Sequence, residues 1–89
     1  MELTYLKNNG KMTSLELAEL TGKRHDNLIA SIQKMENSWV KIGRLKFKVT
    51  TYTDKSNRQS IMYDLSKTET LYIATKFNDE ARAKLILRW

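Results

Sequence analysis

The chain has 89 residues, of which 40% are hydrophobic and 29% charged, a balance that suits one domain with a modest core and excludes a disordered chain. The absence of cysteine excludes a disulfide framework and a thiolate nucleophile or metal site, and no apolar run reaches the length of a membrane span. The net charge of +6 favours polyanionic partners, nucleic acid first.

The first twelve residues predict a small N-terminal β-hairpin. Asn9-Gly10 is a strong type I′ turn sequence, the apolar residues before it suit a strand, and Lys11–Thr13 would return beside the sheet that follows. A frayed leader is the alternative. Because the same segment lacks the apolar run of a signal peptide, we expect a cytoplasmic protein with no membrane partner.

A first short helix is predicted directly after this hairpin. Thr13 is a suitable N-cap for a helix over Ser14–Leu20, and Glu16 stands where the second side chain of a capping box is found. Gly22 can adopt the positive φ that ends a helix.

A second helix is expected over about residues 24–37. Its apolar side is formed by Leu28, Ile29, Ile32 and Met35. The other side, with the turn before it, carries small, amide and cationic residues: Lys23, Arg24, Asn27, Ala30, Ser31 and Lys34. Two helices joined by a glycine-containing turn, with such an outer face, are typical of a DNA-binding helix-turn-helix. An ordinary helical hairpin with a solvated outer face is the alternative.

A β-hairpin is predicted over residues 44–65, after a connector at residues 38–43 in which Trp39 packs in or over the core. Arg44–Thr53 alternates as a half-buried strand does. The side expected to face the core is Leu45, Phe47, Val49 and Thr51; the side expected to face solvent is Lys46, Lys48, Thr50 and Tyr52. Residues 54–57 have turn chemistry, and the returning strand places Ile61, Tyr63 and Leu65 on one face.

The predicted hairpin lies in the most basic part of the chain. Residues 38–65 carry six lysines and arginines against two aspartates, whereas residues 14–37 carry three cations against four acids. Helix, turn, helix and basic hairpin, in that order, indicate an α+β fold of the winged helix-turn-helix type, in which the hairpin is a wing along the DNA backbone. A solvated edge ribbon is the alternative, because exposed lysines also prevent edge pairing.

Two closing helices are predicted over residues 66–89. Ser66 and Glu69 repeat the capping-box pattern, and Asn78 or Asp79 would break and recap the chain. The apolar residues at core spacing are Leu71, Ile73, Ala74, Phe77, Ala81, Leu85, Ile86 and Trp89. Because the chain stops within a helix without a stop signal, we expect residues 1–89 to be one DNA-binding domain from the N-terminal part of a longer protein, or the end to dock on a partner.

Candidate DNA contacts come from the second helix with its turn and from the wing. Those of the helix are Lys23, Arg24, Asn27, Ser31 and Lys34. Those of the wing are Lys46, Lys48, Lys55, Asn57 and Arg58. Arg24 can pair with guanine and Asn27 with adenine through two hydrogen bonds each, whereas the lysines suit phosphate. Solvation of Arg24 and helix capping by Asn27 are the alternatives.

No pattern in the sequence predicts an enzyme. His25 is the single histidine and has no neighbouring nucleophile or metal-ligand set. The glycines at positions 10, 22 and 43 are isolated turn residues and do not form a phosphate-binding loop. We therefore expect no catalytic residue, no metal and no cofactor.

Three stretches resemble the phage regulatory protein Rha family: Thr13-Ser14, the run from Glu19 to Asn27 that contains Gly-Lys-Arg-His-Asp-Asn, and Tyr63 to Thr70. The resemblance covers nearly the whole chain. It implies a phage or prophage protein with an N-terminal winged-helix-like domain, of a kind commonly linked to antirepressor-type proteins with a separate C-terminal module. Ala30 and Ser31, and the closing Leu85–Trp89, depart from the family pattern and leave the details of the contacts open.

Two functions follow from these observations. The first is a phage or prophage transcription regulator that binds double-stranded DNA in the bacterial host, as a homodimer because phage operators are commonly two-fold. The alternative is a protein-interaction domain of an antirepressor that binds and inactivates a phage repressor. RNA binding ranks below both, because exposed paired aromatic residues are absent from the sequence pattern.

Overall fold

A strand, two helices, a β-hairpin and two closing helices follow one another in the computed structural model, which describes residues 10–89. The elements are β1 Lys11–Thr13, α1 Ser14–Thr21, α2 His25–Lys41, β2 Lys48–Thr53, β3 Gln59–Ser66, α3 Lys67–Ile73, a 3₁₀ turn Ala74–Lys76 and α4 Asp79–Arg88. The returning strand of the predicted N-terminal hairpin is β1. Its partner strand falls on residues 1–9, outside the described part of the chain.

The three strands form one antiparallel sheet in the order β1-β3-β2. β3 pairs with β1 through Met12 opposite Leu65, and with β2 through Val49 opposite Tyr63 and Thr51 opposite Ile61. Helices and an antiparallel sheet in this arrangement confirm the predicted α+β, winged-helix-like class. We call the β2–β3 hairpin, residues 48–66, the wing.

Local capping sets the ends of α1. The Thr13 hydroxyl accepts from the Glu16 amide at 3.1 Å, as predicted, and Gly22 ends the helix at φ 72°. The Glu16 carboxylate does not turn back to the cap; it accepts from the Arg88 Nε at 2.6 Å and ties α1 to α4.

The second helix is longer than predicted. It continues through residues 38–41, so the expected connector at 38–43 is wrong over most of its length. The reason is Trp39, which adds a turn to the buried strip of Leu28, Ile32 and Met35 and stacks on Tyr72 at 4.7 Å between ring centroids. The expectation that Trp39 packs in the core is confirmed.

The strand β2 is shorter than predicted, and its faces are largely reversed. It begins at Lys48; before it Leu45 is 86% exposed, whereas Phe47 is buried as expected. Within β2 the half-buried residues are Thr50 and Tyr52, and Val49 and Thr51 face solvent. The wing extends past the helices, so only Tyr63 and Leu65 of the predicted inner face of β3 reach the core, and Ile61 is exposed.

The core lies between one face of the sheet and the helices. Its fully buried members include Met12, Leu17, Leu28, Ile32, Leu65, Ile73 and Leu85. The closing helices are capped as predicted: Ser66 and Glu69 form a complete capping box, and the Asn78 side chain accepts from the Ala81 amide at 2.9 Å. The helix α2 buries Leu28, Ile32, Met35 and Trp39 in this core and keeps the opposite side in solvent.

Candidate nucleic-acid interface

The wing is attached to the first turn of α2 through a buried serine. The Tyr63 amide donates to the Ser14 Oγ at 2.9 Å, and the same oxygen lies 2.8 Å from the His25 Nε2. The His25 ring also meets the Tyr52 ring edge-on at 5.8 Å between centroids. Burial lowers the pKa of His25, and the nearby Asp26 carboxylate opposes that shift in part. The strand β2 therefore contacts His25, the residue that begins α2, directly through Tyr52, and β3 is linked to His25 through Ser14.

A second attachment joins the root of the wing to the middle of α2. The Phe47 amide donates to the Glu36 carboxylate at 2.8 Å, and the Phe47 ring packs between Trp39 and Tyr63. Burial and the Glu36 charge raise the pKa of the Tyr63 phenol, while a hydrogen bond with the Gln33 amide lowers it in part. The wing therefore follows one flank of α2, the flank of His25, Glu36 and their helical neighbours.

A cleft borders the opposite flank of α2. Its volume is about 240 Å³, and its lining residues are Lys23, Arg24, Asn27, Leu28, Ser31, Met35, Ile73, Lys76 and Phe77. The floor is apolar, the rim is cationic, and the Lys23 ammonium lies 4.9 Å from the centroid of the Phe77 ring. Lys34 continues the same flank beside Tyr72 and Lys76.

The structure places the five predicted contact residues of the helix region, Lys23, Arg24, Asn27, Ser31 and Lys34, in solvent. It also brings them together on the flank that faces the cleft. They are not on the flank that faces the wing, so α2 itself lies between the two predicted groups of contacts. Arg24 is paired with Asp26 at 3.0 Å, and both side chains are largely exposed.

The predicted contact residues of the wing are also exposed, but they are spread along the hairpin. They are Lys46, Lys48, Lys55, Asn57 and Arg58. Lys46 precedes β2 rather than lying in it, and Lys48 stands opposite Asp64 in the register with β3. The last three are clustered at the tip of the hairpin.

Asp54 holds the tip of the wing in shape. Its carboxylate accepts from the Ser56 and Arg58 amides, each at 2.9 Å, and from the Ser60 hydroxyl at 3.0 Å. The bond from the Arg58 amide is the main reason that the pKa of Asp54 lies below its usual range. Asn57 takes the left-handed conformation at φ 63°, which asparagine tolerates better than most residues. The cations of the tip are thereby held on an ordered turn.

Of the strip of α2 that lies opposite the buried strip, sequence reasoning placed only Ala30 on the outer side and missed the other three residues. The residues of this strip are Asp26, Ala30, Gln33 and Asn37, all exposed. The signal was available: the buried strip follows positions 28, 32, 35 and 39, and the outer strip repeats the same spacing two residues earlier. Because the predicted helix ended at residue 37, Trp39 was left out of the buried strip, and the predicted outer side was shifted toward the cleft flank. Lys76, on the far wall of the cleft, was missed as well.

Within the described residues 10–89, no group of three or more histidine, cysteine, aspartate or glutamate side chains is placed to hold a metal ion. No helix of the same range is long and apolar enough to cross a membrane.

Comparison with known proteins gives one family. The family model described as phage regulatory protein Rha matches residues 12–89. No curated protein and no solved structure matches the chain.

Proposed function

The chain belongs to the phage regulatory protein Rha family, and from that premise we propose that this domain binds duplex DNA and regulates phage or prophage transcription. In this proposal α2 enters the major groove and the wing follows the adjacent backbone. The domain acts as a homodimer in the cytoplasm of the bacterial host, without catalysis or cofactor. Sedimentation of the DNA complex, with two protomers on each site, tests the dimer.

One observation carries the proposal: the exposed side of α2 lies between the cationic rim of the cleft and the basic wing. Lys23, Arg24, Lys34 and Lys76 border it on the cleft side. On the other side the wing is attached to α2, and its Lys48, Lys55 and Arg58 are exposed. A helix in the major groove meets a phosphate backbone on each side, and lysine and arginine side chains on both flanks match that arrangement.

The test is a titration of a duplex enriched from a random pool, with variants of one residue from each flank. Arg24→Ala and Lys55→Ala should each weaken binding to all sequences alike and reduce the salt slope by about 1, because a phosphate contact carries no sequence information.

Lys84→Ala is the matched control, because this lysine lies on α4 and is paired with Glu80. It should bind as the parent does. If Arg24→Ala and Lys55→Ala also bind as the parent does, the domain does not contact DNA through this surface.

A second candidate function is a protein-interaction domain that inactivates a phage repressor. The observation that favours it is the apolar floor of the cleft, formed by Leu28, Met35, Ile73 and Phe77, because apolar side chains of a partner protein would fill such a floor better than an anionic DNA backbone. Recovery of a repressor from a nuclease-treated extract would support this function. A steep loss of DNA affinity between low and moderate salt would support DNA binding instead.

A further inference from the structure

The helix α2 has four distinct sides in the folded domain. One side is buried in the core, one carries the wing through His25 and Glu36, and one borders the cleft through Asn27 and Ser31. The fourth is the outer strip of Asp26, Ala30, Gln33 and Asn37, which lies opposite the core. The outer strip therefore protrudes between the wing and the wall of the cleft.

A helix that docks in the major groove presents its protruding strip to the base edges. Its flanks then face the two phosphate backbones, since the groove is only about 12 Å wide and a helix with its side chains nearly fills it. In this domain the cleft flank and the wing hold the cationic residues, and the outer strip holds two amides, an alanine and an aspartate. The cationic residues therefore stand where phosphates would lie, and the amides stand where base edges would lie.

We propose that Gln33 and Asn37 are the base-reading residues of this domain, and that Asn27, Ser31 and Lys34 contact the backbone. This inference rests on the proposed function of DNA binding. It moves sequence readout from the cleft flank, where the sequence pattern had placed it, to the outer strip of α2.

The chemistry of the outer strip suits adenine. The amides of glutamine and asparagine can each donate to N7 and accept from N6 of that base. Ala30, one turn before Gln33, is small enough to allow close approach and can pack against a thymine methyl group. Asp26, the acidic member, is paired with Arg24 at 3.0 Å, which offsets its repulsion of the DNA.

The experiment selects bound sequences from a random duplex pool with the full 89-residue chain and four variants. Asn37→Ala and Asn27→Ala form a matched pair: the same residue, the same change and the same exposed helix, but different sides. Gln33→Ala and Gln33→Arg complete the set. Thermal unfolding by circular dichroism confirms that each variant is folded.

The expected result is that Gln33→Ala and Asn37→Ala each lose the preference for adenine at one position, by roughly 5- to 150-fold in discrimination. Gln33→Arg should enrich guanine there instead, a gain that an unfolded protein cannot imitate. Asn27→Ala should lower the affinity for DNA but should still select the same duplex sequence as the parent protein.

The inference is overturned if Gln33→Ala and Asn37→Ala select the same duplex sequence as the parent protein. It is also overturned if Asn27→Ala is the variant that loses a base preference. Either result leaves DNA binding intact. If the parent binds no duplex at all, the proposed function fails and this inference fails with it.

Discussion

The hydroxyl of Ser14 joins α1, α2 and the wing. It accepts from the Tyr63 amide in β3 and is hydrogen-bonded to the His25 Nε2 at the start of α2. Ser14 is fully buried, so water cannot replace a bond that is lost there. At the scale of single residues, this contact fixes the position of the wing beside the helix.

Ser14→Ala should therefore lower the free energy of unfolding by roughly 1–3 kcal/mol, because it leaves the buried Tyr63 amide without its acceptor. Urea denaturation measures the change. Ser38→Ala, an exposed serine in α2, is the control and should shift stability by less than about 0.5 kcal/mol. Equal effects of the two variants would show that the Ser14 bond does not stabilise the fold.

His25 should make stability fall in mildly acidic solution. Burial lowers its pKa in the folded state below the ordinary value of 6.5, so the unfolded chain binds the proton more readily. The contribution is present above pH 6.5 and is lost as the pH falls through the folded pKa. Urea unfolding at a series of pH values should show this decline, and His25→Gln should lessen it. If the stability of the parent protein rose as the pH fell over that range, this account would be contradicted.

At the scale of elements, the helix starts and turns could be predicted because their causes are local. Thr13 and Ser66 bond to amides three residues ahead, and Gly22 ends α1 by its own backbone conformation. The turn at Asp54 likewise depends on amides within four residues. Each of these signals can be read within one short stretch of sequence.

The end of α2 and the faces of β2 could not be predicted in this way. Trp39 extends the helix because it stacks on Tyr72, and the half-burial of Tyr52 depends on the ring of His25. Both partners are distant in sequence. Alternation along β2 was read correctly as a strand, but the face that meets the helices is decided by where the wing leaves the core.

At the scale of the whole molecule, contacts distant in sequence arrange the elements. The ion pair of Arg88 with Glu16 joins α4 to α1, and the Trp89 indole donates to the buried Thr70 hydroxyl at 3.1 Å. The candidate contact residues could be found from residue type and charge. Their separation onto two flanks of α2 could not, because it depends on which side the wing packs.

The central claim is that α2 and the wing together form one DNA-binding surface. The most direct measurement is amide chemical-shift mapping of the labelled chain during titration with a duplex enriched from a random pool. The account predicts that signals of α2 and of the wing change together, while those of α4 stay in place. Changes confined to α4, or a wing that stays unchanged while α2 responds, would contradict it.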